Sequence, residues 1–346
     1  MATIKDVAKR AGVSISTVSL VINNNPIVND KTRDIVLQAV EDLNYQPNQY
    51  ARSLVTKQKK VIGLVRMLHS TGIQDEKSYS FKSIADTYVS EMLKSIEDEI
   101  KKTDYSMLIE WTFSDLSPDM PSIMDANRVD GMLFAGGFID NQLIERIIET
   151  KIPSVLVGAR HDALDYVDSD AEQGICSITE YLIRQGHKDI LFVNSPGTSQ
   201  SSKRKYAGFI RALETAGMPM RKEYLTSSGF SGQMAYDVVE DAWSAGLRPT
   251  AIVAGADSQA LGVIRFLYSK GLKCPQDVSV TGFEDSVLAE YATPALTTVA
   301  VHKEKIGVEA CRLLLNRIDH PDAPLGQTIL SPTLVTRSSV FCRKGE

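Results

Sequence analysis

From Val61 onward, short apolar runs alternate with amphipathic helical stretches, and this alternation restricts the fold more than any other feature of the chain. Strands are expected at 61–65, 106–109, 131–135, 154–157, 190–194, 251–255 and 278–282. Helices are expected between them at 89–102, 141–150, 172–185, 203–216, 232–245, 257–271 and 303–317. A strand that must wait for a helix before its neighbour pairs in parallel, and parallel sheets are covered on both faces. The pattern runs twice, with a changeover near residues 168–170. It predicts two doubly wound lobes with ligands beyond the carboxyl ends of the strands, in the cleft between them.

The first 60 residues read differently. Ile4, Val7, Ala8 and Ala11 fall on one face of a helix over 3–11, which Thr3 and Asp6 can cap and Gly12 can stop. Ser14 can cap a second helix over 15–23, with Ile15, Val18 and Ile22 facing inward and Ser16, Thr17 and Leu20 outward. A third helix follows Asn29 or Asp30, with Ile35, Val36, Ala39, Val40 and Leu43 as its apolar positions. Two helices joined by a tight glycine turn and braced by a third make helix-turn-helix geometry. A bare helical bundle has no use for the small polar outward face of the second helix, which fits a major groove.

Charge points the same way. The net charge of −5 argues against a nucleic-acid partner, but residues 1–60 hold nine Lys/Arg against five Asp/Glu. The head is therefore +4, while the remainder carries 29 basic and 38 acidic residues and stands at −9. A basic head on an acidic body concentrates phosphate attraction at one end. The four cysteines lack CxxC spacing, which favours reduced thiols over disulfides or a zinc site. The five histidines show no metal-ligand spacing, and neither GxxxxGK[ST] nor GxGxxG occurs, so no metal or cofactor is expected. No run approaches the ~18–20 apolar residues of a membrane span. The opening MATIKDVAKR is charged where a signal peptide is apolar, so a cytoplasmic, nucleoid-associated protein without a membrane partner is expected.

The stretches TIKDVAKRAGVSISTVSLVINN and NDKTRDIVLQAVEDLNYQPNQYARSL together resemble the DNA-binding head of the lactose-repressor and purine-repressor family. RVDGMLF, LIRQGHKDILFV, KRKYAGFIRALETAG, RPTAIVAGADSQALGVI and DVSVTGFEDSVLAEYATPALTTV resemble its periplasmic-binding-protein-like sensor, in family order. The resemblance implies a helix-turn-helix domain over 1–46, a hinge helix and linker over 47–59, and an effector-binding and dimerisation domain over 60–346. In the last, the N-lobe is expected at about 60–168 and 300–322, the C-lobe at about 169–299 and 323–342.

For the head, the resemblance implies DNA contacts from Thr3, Ser14, Ile15, Ser16, Thr17, Ser19, Leu20, Asn23, Tyr45 and Asn48. Leu20 departs from the Arg or His common in the family, which takes away a guanine-reading donor. Residues 47–55 are too short for an isolated helix. The resemblance makes them a hinge that folds on DNA, with Ala51 allowing close approach to its copy, Arg52 reaching phosphate and Leu54 wedging into the minor groove. For the sensor, it places pocket positions at Tyr88, Gly158, Ser169, Ser199, Lys205, Phe230, Ala256, Asp257, Glu284 and Val301. Lys205 stands where an arginine is common and Glu284 where an aspartate is, so no family ligand transfers directly. Arg160, Glu110 and Trp111, at expected strand ends, either supply further contacts or serve surface and packing roles. Residues 69–86 exceed the family's usual loop after the first strand and are either a lid or an exposed loop.

What the whole implies is a repressor, working as a homodimer on a near-palindromic operator and controlled by a small molecule, with a sugar or sugar derivative as the expected class. A solute-binding protein would have no use for residues 1–55. An enzyme would need a nucleophile and base, and His187 has neither Ser nor Cys in register.

Overall fold

The computed structural model describes residues 2–22, 25–45, 59–68, 87–113, 121–125, 128–136, 139, 141–195, 197, 199–229 and 231–343. The chain divides into two compact units, Met1–Lys59 and Lys60–Glu346.

In the first unit, α1 (Ile4–Ala11) begins where the Asp6 carboxylate accepts from the Thr3 backbone N–H (2.8 Å) and hydroxyl (2.7 Å). It ends at Gly12, whose φ of 67° is left-handed and cheap only for glycine. The Ser14 hydroxyl accepts from the Thr17 N–H at the start of α2 (Ile15–Ile22), and Asn29 caps α3 (Asp30–Asp42) by accepting from the Thr32 N–H. The core is small: Val7, Ala8, Val18, Val21, Val28, Val36 and Ala39. An Arg10–Asp42 ion pair at 2.7 Å ties α1 to α3. The expected inward face of α2 needs correction. Val18 and Val21 are buried, whereas Ile15 is 44% exposed and Leu20, expected outward, packs partly against the core. Ile35 of α3 is likewise 45% exposed.

The second unit holds two parallel sheets. In chain order its elements are β1 (Val61–Leu68), α4 (Thr87–Ile100), β2 (Ser106–Phe113), α5 (Ser122–Asp125), β3 (Gly131–Ala135), α6 (Asn141–Thr150), β4 (Ser154–Val157) and β5 (Asp165–Ser169). There follow α7 (Ala171–Arg184), β6 (Ile190–Asn194), α8 (Gln200–Thr215), β7 (Leu225–Ser227), α9 (Gly232–Ser244), β8 (Ala251–Ala254), α10 (Asp257–Ser269) and β9 (Ser279–Thr281). The chain closes with α11 (Val287–Tyr291), β10 (Thr298–Ala300), α12 (Lys303–Asp319), β11 (Gln327–Leu330) and β12 (Thr333–Val335). The N-lobe sheet has the order β11-β5-β4-β3-β1-β2 and the C-lobe sheet β7-β6-β8-β9, every pairing parallel. Apolar clusters cover both faces of each sheet. β10 and β12 form a separate antiparallel pair.

The expected lobe boundaries fail at two places. Ser169 ends β5 and so belongs to the N-lobe sheet. Residues 327–330, expected in the C-lobe, form β11 beside β5 of the N-lobe. The chain therefore passes between lobes three times, near 170, 301 and 331. Among the described residues, three helix crossings leave no room for a side chain: a Cβ on Gly262 of α10 meets the Gly232 carbonyl oxygen at 1.9 Å, one on Gly307 of α12 meets the Ser95 hydroxyl of α4 at 1.9 Å, and one on Gly208 of α8 meets the Glu172 carbonyl oxygen of α7 at 2.1 Å.

Candidate functional site

In the head, Ser14, Ile15 and Ser16 are exposed, and Thr17, Ser19 and Leu20 are half-buried. The Ser14 hydroxyl lies 2.7 Å from that of Ser16 and 2.8 Å from that of Thr17, so three hydroxyls cluster at the start of α2. Such a cluster offers donors and acceptors to phosphate or base edges where a helix N-terminus already favours anions. Thr3 is engaged in capping α1, and Tyr45 packs partly on the head core. Asn23, Asn48, Ala51, Arg52 and Leu54 lie outside the described residues, as does the whole of 69–86.

In the sensor, parallel pairing puts the carboxyl ends of all strands of a sheet at one edge. Beyond β4 and β5, Arg160 donates from Nε to Asp168 Oδ2 (2.7 Å) and from Nη2 to the Ser169 carbonyl (3.0 Å). Arg204, on α8 of the C-lobe, donates from Nη2 to the same Asp168 oxygen at 2.8 Å. One buried N-lobe carboxylate thus holds a guanidinium from each lobe, with charge-assisted bonds stronger than neutral ones. Burial lowers the Arg204 pKa, and the Asp168 charge opposes that shift. Gln200 doubles the link: its Oε1 accepts from the Arg160 N–H (3.3 Å) and its Nε2 donates to the Arg160 carbonyl (3.2 Å).

Across the cleft edge, Lys205 is buried and donates to the Gly255 carbonyl (2.6 Å) with its ammonium 4.4 Å from the centre of the Phe283 ring. Desolvation lowers its pKa, opposed by the neighbouring Glu284 charge. Glu284 and Asp285 have φ of 109° and 52°, sparsely populated for residues with side chains. Several groups hold this turn. The Glu284 N–H donates to the Val299 carbonyl (2.8 Å), and Arg337 donates to Asp285 Oδ1 (2.7 Å). Asp257 Oδ2 accepts from the Ser286 N–H (2.6 Å) and Oδ1 from the Thr298 hydroxyl (2.6 Å). Burial pushes the Asp257 carboxyl up to about 6 in spite of those donors.

Arg160, Ser169, Lys205 and Glu284 therefore come to the strand ends where the lobes meet. Asp257, expected among them, is fully buried with both oxygens engaged, so it faces the Glu284 turn and not the cleft. Ser199 is also committed, as the cap accepting from the Ser202 N–H. Val301 is buried in the C-lobe core. Trp111 is 43% exposed on the edge strand β2, three strand intervals from β4. At ~4.8 Å per interval this is roughly 14 Å, so it does not join the Arg160 group. Glu110 caps α5 by accepting the Ser122 and Ile123 N–H groups. Tyr88 is the second residue of α4, and Phe230 lies outside the described residues. His187 is buried, with its ring nitrogens at 3.1 Å from the Thr250 hydroxyl and 3.0 Å from the Phe341 carbonyl.

Reading the sequence missed Gln200 and Arg204, although the basic run after Gln200 opens a helix that follows a strand. It also missed Gln259, which is fully buried and reaches from Nε2 to the Ser228 hydroxyl (2.8 Å), the Gly229 carbonyl (2.8 Å) and the Ser195 hydroxyl (3.2 Å), fixing the loops after β6 and β7. No local pattern announces that role.

The family model described as bacterial regulatory proteins, lacI family, matches residues 3–48, and that of the periplasmic binding protein-like domain matches 179–340. The HTH-type transcriptional repressor PurR of Erwinia tasmaniensis is 34% identical, covering 98% of this chain and 97% of that protein. Its namesake in Edwardsiella ictaluri is 33% identical with the same coverage. Among solved structures, the lac repressor dimer bound to operator and the anti-inducer ONPF matches with a TM-score of 0.82 at 24% identity, over 98% of this chain and 99% of that one. A transcriptional regulator CelR–cellobiose complex matches with a TM-score of 0.72 at 25% identity, over 98% and 100%.

Proposed function

The chain belongs to the lacI family of bacterial regulatory proteins, and from that premise we propose that it is a cytoplasmic repressor, not an enzyme, that binds operator DNA as a homodimer under the control of a carbohydrate effector. One observation carries the reading: a repressor 34% identical aligns along 98% of the chain, joining a helix-turn-helix head to a two-lobed sensor in one polypeptide. Domain limits of 1–46, 47–59 and 60–346 fit this division of labour, with the lobes exchanging chain near 170, 301 and 331.

In the head, Ser14, Ile15, Ser16, Thr17 and Ser19 meet the major groove, and residues 47–55 complete the reader on DNA. Leu20, half-buried, contributes little more than its edge, so guanine readout there is absent. In the sensor, Arg160, Lys205 and Glu284 bind hydroxyl-rich ligand between lobes already linked by Asp168, Arg204 and Gln200. The cellobiose complex of a regulator of the same fold supports a carbohydrate. An effector alters DNA affinity only through its unequal preference for two lobe arrangements.

Fluorescence anisotropy on labelled DNA from upstream of its own gene, with and without a panel of mono- and disaccharides, tests the proposal. Salt-sensitive binding changed by one sugar is expected. Absence of any DNA binding at low salt, whatever the sugar, refutes it.

A further inference from the structure

The strained Glu284–Asp285 turn has one more restraint, and it comes from the other lobe. Lys303 is the first residue of α12, which packs its apolar face into the N-lobe core. Its side chain is 7% exposed, and its ammonium makes three contacts: the Glu284 carbonyl (2.9 Å), the Asp285 carbonyl (2.6 Å) and Glu91 Oε2 (2.9 Å). Three acceptors match the three protons of an ammonium group. Glu91 lies on α4, also an N-lobe helix, and its Oε1 accepts from the Val287 N–H at 3.4 Å. Two N-lobe helices thus grip both sides of one C-lobe turn, and the turn carries Glu284 to the cleft. The residues lie 193 and 19 positions from Glu284 in the sequence, so no motif announces them.

We propose that Lys303 is the positioning residue of the effector site: it holds the Glu284–Asp285 turn in its left-handed conformation, and Glu91 steers it so that the hold depends on how the lobes are closed. This rests on reading the cleft as the effector site. Movement of the lobes that withdraws Lys303 takes two acceptor bonds from a turn whose backbone is otherwise unfavourable. Glu284 then shifts, and the site changes shape together with the lobe arrangement that governs the DNA-binding state.

Hydrogen–deuterium exchange on the full-length protein, without DNA or effector, tests this and remains informative even if the repressor reading fails. Lys303→Met is expected to speed exchange of the amides of residues 283–288 at least tenfold while those of β6 and β8 stay unchanged. Lys303→Arg, which keeps the charge and the donors, is expected to restore protection. Glu91→Ala, at a side chain 40% exposed, is expected to give a smaller rise at the same amides, about threefold. At the amides of 283–286, which exclude Val287 with its own Glu91 acceptor, the double variant Glu91→Ala with Lys303→Met should exchange no faster than Lys303→Met alone. Should Lys303→Met fail to fold, the Glu91→Ala arm decides. No rise at 283–288, a rise spread evenly over the C-lobe, no rescue by arginine, or additive effects in the double variant each overturn the proposal.

Discussion

Asp257→Asn isolates what one buried carboxylate costs the sensor. Asp257 is fully buried, and burial lifts its carboxyl from 3.8 to about 6. Because the folded state holds the proton more tightly than the unfolded chain, the stabilising contribution is complete below 3.8 and is lost as pH rises through about 6. The linkage relation puts the loss at about 1 kcal/mol at pH ~4.5 and about 3 kcal/mol at pH ~7.5, a change of about 2 kcal/mol. Asparagine keeps the local bonds: its Oδ1 accepts from the Ser286 N–H and its Nδ2 donates to the Thr298 hydroxyl. The variant does not titrate. Its stability relative to the native protein should therefore rise by about 2 kcal/mol across that window. Urea denaturation of the full-length protein at a series of pH values, followed by the sensor transition at constant slope, measures this. A stability difference independent of pH would show that the two donors hold the carboxylate ionised at an ordinary pKa, and the reasoning would be wrong.

Asp168→Asn leaves two guanidiniums around a neutral amide, and should destabilise the sensor by about 3 kcal/mol in the same denaturation assay. A loss under about 1 kcal/mol would mean that water already screens the group. Gly307→Ala forces a methyl against Ser95 and the Met92 carbonyl, so thermal unfolding should show a loss of about 2 kcal/mol with DNA contacts untouched. An unchanged melting temperature would show that α4 and α12 can move apart freely. Leu54→Ala should weaken operator binding tenfold or more and leave low-salt non-specific binding unaltered; equal losses in both would remove the minor-groove wedge from the reading of residues 47–55.

The strands that carry apolar runs were legible in the sequence, because burial on both faces leaves them little but apolar residues, as in GMLFA at 131–135 and ILFVN at 190–194. β5 was not, and the reason is physical. Asp165 and Asp168 are buried in it, Asp165 bonded to Arg317 and Asp168 to Arg160 and Arg204, so distant cations make polar residues tolerable where a local reading expects a loop. β11 alternates exposed and half-buried residues at the sheet edge and offers no apolar run. α2 misled by one residue because apolar positions 15, 18, 20, 21 and 22 fit two faces, and the head core that holds Val7 and Val36 takes in Val21 fully and Ile22 only in part. At the cleft, residue types were readable but layering was not: nothing in the sequence around Asp257 tells whether its carboxylate meets the ligand or the turn behind it.

The threefold passage of chain between lobes also fixes an order of events during synthesis. The N-lobe sheet begins at Val61, yet its core includes Ile306, Ala310 and Leu314 of α12, and its edge strand β11 ends at Leu330. No nascent chain shorter than most of the polypeptide can close that lobe, whereas the C-lobe strands β6 to β9 emerge as one contiguous block. The half translated first thus waits for chain made after the C-lobe sheet, and the apolar surface of β1 to β4 stays uncovered while the ribosome makes its partner helix, at ~5–20 residues per second.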